Sequence, residues 1–463
     1  MLDLVEQKRT SIASRVFGRL SAAVVALAGP VALVVVALAG CEADRPPERL
    51  VLITLDTLRY DALFNGDGQA SPMPRLRKRA LGGIRFSRFY AAASTTQPTH
   101  ATMFTALHPW QHGVTRNGRI LSDDHHTLAE TLRSSGFETH AVVAAFPVSR
   151  RFGFGQGFDS FAEEFSHGEL EQWIGTEVPQ RKFFALADSV TERALAAIDG
   201  ARGDHQFFWF HYFDPHSPYG ATQGERFSKS RIMESLMRGD ETAEELLERA
   251  RRLYRSDLEY LDRSLERLLT RLDAEVDEFV THVFVVSDHG ESFGEGGSLA
   301  HGNRLTEVEI HVPAFLISPT LEATRRDDVA GAIDVTPTLL ALAGLRTAGD
   351  ELGGRDLRRE EISPPGVWGM RRTSRADRLR EWRLDGRFHE LPKFLFFAVD
   401  PLGHIHRGNG RRVFPAPEAH SRFGAQQLLE HFSAFEAQVR GSHTVQQIDS
   451  EIEAGLRALG YAP

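Results

Sequence analysis

Residues 50–59 read Leu50-Val51-Leu52-Ile53-Thr54-Leu55-Asp56-Thr57-Leu58-Arg59. An apolar and β-branched run with no polar alternation describes a strand covered on both faces, as at the centre of a parallel sheet. The run ends on an acid, and the design recurs: Asp214 follows Phe207 to Tyr212, and Asp288 follows His282 to Val286. Thr139 to Val143 and Ala314 to Ile317 are two further predicted strands. Helical patterns separate them. Thr127-Leu128-Ala129-Glu130 has the spacing of a capping box, with Gly136 closing the helix. Glu241 to Leu272 carries apolar residues at helical spacing among many charges, which predicts a long helix with one stripe on the sheet and a solvated opposite face. The alternation predicts an α/β fold with a large, mainly parallel sheet between helical layers.

The 463 residues suit one large α/β domain with a smaller appended one. Past Leu357 the chain turns arginine-rich, and Pro364-Pro365 and Gly408-Asn409-Gly410 mark turns between short strands. This places a catalytic domain over 49–357 and a small C-terminal α+β subdomain over 358–463, closed by a helix from Val445 to Leu459. With 54 Lys+Arg against 63 Asp+Glu, the net charge of -9 offers no basic footprint for nucleic acid. One cysteine against 20 histidines excludes a disulfide framework within the chain and directs any metal chemistry to nitrogen and oxygen ligands.

That cysteine closes the one long apolar run. Ser21 to Gly40 is uncharged, Lys8, Arg9, Arg15 and Arg19 precede it, and it ends Leu38-Ala39-Gly40-Cys41. This layout resembles a bacterial lipoprotein signal over residues 1–41, with the lipid on Cys41. The alternative is an uncleaved transmembrane anchor, for which about twenty apolar residues suffice. Either places the body outside the cytoplasm, in the periplasm or cell envelope, on a polar tether from Glu42 to Glu48.

Ligand sites in open α/β sheets assemble at the carboxyl ends of strands. Asp56, Asp214 and Asp288 all sit there, with His211, His216, His289 and His301 nearby in sequence. Asp56, Asp288 and His289 supply two carboxylates and an imidazole, a set suited to zinc or manganese. In Ser94-Thr95-Thr96-Gln97-Pro98-Thr99-His100 the proline predicts a helix starting near Pro98, with Thr96 at its cap. Thr96 is then either an ordinary cap or a hydroxyl presented to an anion and activated by a metal.

Taken together, Val51 to Arg59, Thr96 to His100, Leu107-His108-Pro109 with His112-Gly113-Val114, His211 to Tyr219, Ser287-Asp288-His289-Gly290-Glu291, His301-Gly302 and Ile333 to Leu340 resemble the sulfatase family. The resemblance runs from about Leu50 to Leu357. It implies an alkaline phosphatase-like three-layer sandwich, a nucleophile that also ligates the metal, and hydrolysis or transfer of a sulfate or phosphate ester. It also implies a site in which Asp56, Thr96, Asp288 and His289 hold one divalent metal ion, zinc or manganese ahead of calcium. His100, His216 and His301 would stabilise developing charge or protonate the leaving oxygen, with the roles among them open.

The departures carry as much information. Sulfatases oxidise a Cys or Ser to formylglycine where Thr96 stands, and threonine cannot become that aldehyde. His100 replaces the family arginine, Asp288-His289 the Asp-Asn metal pair, and Ala144-Ala145-Phe146-Pro147 the Gly-Lys-Trp-His stretch. These changes resemble the threonine-using phosphodiesterase and phosphotransferase branches. A sulfated threonine has no elimination route, so phosphoester turnover is expected over sulfoester turnover. The expected substrate is a small-molecule, envelope-glycan or lipid ester. The alternatives are a true sulfuric ester hydrolase and a non-catalytic envelope binding protein of the same fold. One metal is expected over two, because Pro218 stands where two-metal relatives place a histidine four residues after Asp214; the alternatives for His216 are to substitute for that histidine or to contact the substrate's anionic oxygens.

Overall fold

Strand β1 (Glu48–Leu55) is the centre of the sheet, pairing in parallel with β5 (His205–Tyr212) on one side and β6 (Val280–Ser287) on the other. With β2 (Ile84–Tyr90), β3 (Glu138–Val143), β4 (Ser160–Glu163), β9 (Ala314–Ile317) and β10 (Thr324–Gly331), they form an eight-stranded sheet in the order β10-β2-β9-β6-β1-β5-β3-β4. Only β9 runs against the rest, pairing antiparallel with β2 and β6. The remaining two-residue strands β7 (Ser292–Phe293) and β8 (Leu299–Ala300) make a small ladder beyond β6. The computed structural model describes residues 46–64, 70–165, 183–302, 304–345, 353–359, 367–372, 393–409, 411–414 and 425–441. The leader, Cys41, most of the tether and the helix expected at 445–459 lie outside them. No helix among the described residues is long and apolar enough to cross a membrane.

Helices cover both faces, and β5 shows how. Trp209 packs against Phe104 with ring centroids 4.7 Å apart, whereas Tyr212, three residues on and so on the opposite face, meets the Thr191 hydroxyl at 2.9 Å. After α1 (Tyr60–Phe64), one layer holds α2 (Pro74–Leu81), α6 (Ala187–Gly200) and the long α8 (Ala243–Asp273). The other layer holds α3 (Thr96–Thr105) with α5 (Leu128–Ser134) and α10 (Val335–Leu342). The shorter α4 (Pro109–His112), α7 (Lys229–Arg238) and α9 (Glu307–Ile310) sit in connections. Thr127 and Thr242 form full capping boxes at the starts of α5 and α8, as their spacing predicts for α5.

Two expectations need correction. The tether reaches only part-way, because Glu48 already belongs to β1 and the Pro47 carbonyl accepts the Val280 N–H at 2.9 Å. Helix α3 begins earlier than Pro98: Thr95 is its extended N-cap residue and Thr96 is the first helical residue. Proline is tolerated two residues later because the N–H groups of a first turn have no intrahelical partner.

The C-terminal segment forms a four-stranded antiparallel sheet, β11 (Val367–Arg372), β12 (Phe394–Val399), β13 (Ile405–Asn409) and β14 (Arg412–Phe414), with α11 (Ala425–Gly441). Period-two alternation on β12 explains how it docks. Phe394, Phe396 and Ala398 join Leu428 and Phe432 of α11, while Leu395, Phe397 and Val399 join Tyr90, Leu305 and Ile310 of the main body. Trp110 of α4 inserts into the first group, stacked on Phe435 at 3.9 Å.

Candidate active site

The site forms at the carboxyl ends of β1 and β6. Asp56 follows β1, Asp288 and His289 follow β6, and all three are fully buried. Their ligand atoms lie within 4.8 Å of one another, the one cluster of acid and histidine side chains among the described residues arranged to hold a metal ion. Local backbone fixes the aim. Asp288 Oδ1 accepts the N–H groups of Thr57 at 3.2 Å and His289 at 2.8 Å, and Thr57 takes a left-handed φ of 56° that a β-branched residue adopts only under constraint. The His289 ring is held by its Nδ1 against the Gly290 carbonyl at 3.0 Å, so Nε2 faces the carboxylates, 3.5 Å from Asp288 Oδ2 and 3.9 Å from Asp56 Oδ1.

The first residue of α3 enters this cluster. Thr96 Oγ1 lies 3.4 Å from Asp56 Oδ2 and 3.4 Å from His289 Nε2. The residues fit a cation by an independent criterion: Asp56 Oδ1 and Asp288 Oδ2 are buried oxygens without a hydrogen-bond partner, an arrangement that is costly unless a positive charge completes it. The electrostatics agree. Burial and then Asp288 push Asp56 well above the usual carboxylate range; burial also opposes ionisation of Asp288, but His289, His100 and His211 together hold it below its ordinary value. Burial pulls on His289 too, yet Asp288 and Asp56 leave it raised.

The histidines divide into two groups. His100 and His211 lie at the base, both fully buried, with ring centroids 5.3 Å apart. His100 Nδ1 meets the Thr96 carbonyl at 2.9 Å and Asp288 Oδ2 at 3.6 Å, with its ring against Trp209 and Phe154; His211 Nε2 is 3.5 Å from Asp56 Oδ2. Burial lowers each to about 4, so both are neutral near pH 7. On the other side, the His301 ring is 4.3 Å from that of His289 and 4.9 Å from that of His216, which stacks on Phe213. His301 Nδ1 is anchored on Glu291 Oε1 at 3.0 Å. Burial lowers His216 to about 3 and takes His301 well below its ordinary value.

Asp214 is the strand-end acid that does not join. Its Oδ1 accepts the Ala187 N–H at 3.0 Å, at the start of α6, and burial raises its pKa to about 8. Glu291 is the site residue that sequence reasoning missed as a participant. Its signal was its place two residues beyond His289, but its partnership with His301 spans ten residues and a turn that spacing does not specify.

A sheet between two helical layers with the site at its carboxyl edge is the alkaline phosphatase-like architecture. The sulfatase family model matches residues 48–345, and the chain belongs to the sulfatase family. Among curated relatives, the uncharacterized sulfatase YidJ of Escherichia coli strain K12 is 22% identical over 310 residues, 58% of this chain and 62% of YidJ, so the chain spans less than two thirds of that relative. Among solved structures, the phosphonate monoester hydrolase SpPMH from Silicibacter pomeroyi superposes with a TM-score of 0.58 at 16% identity, covering 87% of this chain and 96% of the other. BT1596, a 2-O GAG sulfatase, superposes at 0.62 with 15% identity over 90% and 97%. At such identities these two structures establish the fold alone.

Proposed function

We propose that the chain is a metal-dependent hydrolase or transferase of phosphate esters that uses Thr96 as its nucleophile. The observation that carries this reading is the entry of the Thr96 hydroxyl into the Asp56–Asp288–His289 cluster, 3.4 Å from a ligand atom on either side. When bound there, a divalent cation supplies Lewis-acid charge that lowers the hydroxyl's pKa and draws in a non-bridging ester oxygen. Asp56, Asp288 and His289, with Thr96 itself, are the residues that would hold it, and their mixed oxygen and nitrogen set suits zinc or manganese ahead of calcium.

Thr96 Oγ attacks phosphorus in line as the bond to the leaving oxygen breaks; the Thr96 proton passes to the Nε2 of His301, neutral at rest, which hands it on to the leaving oxygen. Anchorage of Nδ1 on Glu291 fixes that ring's tautomer and leaves Nε2 as its working nitrogen. His216 sits beside it to contact an anionic oxygen. His100 and His211, being buried beneath the cluster, orient Asp288 and Asp56. Water or a second alcohol then attacks phosphorus, giving its proton to His301 Nε2, which returns it to the departing Thr96 Oγ. A phosphothreonine can be resolved this way, whereas a sulfated threonine lacks the elimination route of a formylglycine hydrate.

A second reading, a sulfuric ester hydrolase, is favoured by the family match and the sulfatases among the relatives. A panel of matched chromogenic phosphate monoesters, diesters and sulfate esters, each assayed with zinc, manganese and calcium, separates the two. Higher kcat/KM on an aryl sulfate than on every phosphate ester overturns the phosphoester preference. We further propose that Cys41 is lipidated and tethers the body outside the cytoplasm. Cys41→Ser should abolish lipid labelling and leave an unprocessed leader, and unchanged processing would exclude it.

A further inference from the structure

Three loops carry the proposed machinery: Ala91–Thr95 leads into Thr96, Ser287–Gly290 carries His289, and Ser298–Gly302 carries His301. The C-terminal sheet touches two of them through one strand. The Met370 N–H of β11 donates to the Ala92 carbonyl at 2.9 Å, and a side chain at Gly369 would meet that carbonyl oxygen at 2.3 Å, so β11 lies flush on the nucleophile loop. The next residue, Arg371, is 2% exposed and donates from Nε to the Gly302 carbonyl at 3.2 Å. Gly302 in turn presses on the nucleophile loop, where an added Cβ would meet Thr95 Cγ2 at 3.0 Å.

Glu309 of α9 ties in the third loop. Its carbonyl accepts the Gly290 N–H at 2.8 Å, and a Cβ on Gly290 would strike the Val308 oxygen at 1.9 Å. Its carboxylate is fully buried near the Ser94 and Thr306 hydroxyls, within the field of the Arg371 guanidinium. A buried acid of the main body and a buried base of the C-terminal sheet therefore flank the junction of all three loops. Burial raises Glu309 to about 8, so it stands largely protonated near pH 7, and Arg371 is the buried charge at this junction, its Nε–H held by the Gly302 carbonyl.

We propose that Arg371 is a positioning residue for His301: its guanidinium holds the Gly302 carbonyl and so fixes the loop that presents His301 to the leaving oxygen. The C-terminal sheet is then part of the working site. Lysine keeps the charge but lacks the planar fork that reaches this carbonyl. The inference rests on the proposed role of His301 as proton donor, and the experiment distinguishes the two.

Full-length, metal-loaded wild type, His301→Gln, Arg371→Lys and Arg371→Ala are compared on esters with leaving groups from 4-nitrophenol to simple alcohols. A 4-nitrophenolate departs without a proton, whereas an alkoxide needs one. Arg371→Lys should lower kcat on alkyl esters by about 100-fold and on 4-nitrophenyl esters by less than about 5-fold, with KM and metal content unchanged, because general acid catalysis is worth about 10² to 10⁴. Added guanidinium ion should restore part of the alkyl-ester rate in Arg371→Ala. A steep leaving-group dependence in His301→Gln with a uniform loss, or none, in Arg371→Lys overturns the role of Arg371 alone. No such dependence in His301→Gln removes the proton-donor role and the inference with it.

Discussion

The two ends of strands β1, β5 and β6 bury polar groups in opposite ways. At the amino ends, Arg49 is 1% exposed, yet it bonds Gln206 Oε1 at 2.9 Å, pairs with Glu275 and lies over the Phe279 ring at 4.0 Å. Glu48 approaches His282 Nε2 at 3.5 Å beside it. At the carboxyl ends, Asp56 Oδ1, Asp288 Oδ2 and both ring nitrogens of His211 are buried without a hydrogen-bond partner. A satisfied buried charge fixes the fold, whereas an unsatisfied one is tolerated where a ligand completes it. The contrast predicts that substitutions at one end change stability and at the other end change chemistry.

The largest effect belongs to the carboxyl end. Thr96→Ala should lower turnover of every ester by about 10⁴-fold or more, as loss of a nucleophile does elsewhere, with little change in thermal unfolding. Residual activity above about a tenth of wild type would remove Thr96 from the chemistry. At the amino end, Arg49→Met removes the bond to Gln206 and one partner of Glu275; because Glu275 is only part-buried and keeps Arg271, the expected cost is about 1–3 kcal/mol. Denaturant unfolding should show that loss while kcat of the folded protein stays within about twofold of wild type, because distant sites with no shared partners act independently. A marked fall in kcat would erase the distinction between the two ends.

Asp288→Asn sharpens the comparison further. Its zinc or manganese affinity should fall by more than the 10–100-fold typical of losing an outer-shell partner, read by equilibrium dialysis, with activity following occupancy. Stoichiometric metal in that variant would exclude Asp288 as a ligand. The smallest effect concerns Asp214, the strand-end acid that serves structure. Burial lifts its pKa from an ordinary 3.8 to about 8, so between those values the folded state holds a proton that the unfolded chain has lost. Stability should therefore decline as pH rises from about 4 to 8. Asp257, raised by burial to about 6, contributes with the same sign. Asp214→Asn should flatten this decline in denaturant midpoints measured across the range, and an unchanged slope would place the titration elsewhere.

Much of the architecture was legible because its signals are local. Continuous apolar runs announced β1, β3, β5, β6 and β9, since a strand covered on both faces has no polar period to hide it. β2, with Arg85, Ser87 and Arg88 along its length, and β10, which begins Thr324-Arg325-Arg326-Asp327-Asp328, lacked that run and went unread. The final helix expected at 445–459 lies outside the described residues, while α11, at 425–441, was not anticipated.

The sequence by itself determined the layered fold and the acids at its strand ends, because covalent order places a residue after a strand whatever the rest of the chain does. Asp56, Asp214 and Asp288 are equivalent at that level. Tertiary structure decided between them: the left-handed turn at Thr57 and two backbone N–H groups turn Asp56 and Asp288 toward Thr96, whereas the start of α6 draws Asp214 away. The same holds for Arg371 and Glu309, which are 62 residues apart by the numbering and come within each other's electrostatic reach only where the C-terminal sheet docks on the catalytic loops. Proximity across such a separation is a property of packing, which no local pattern encodes.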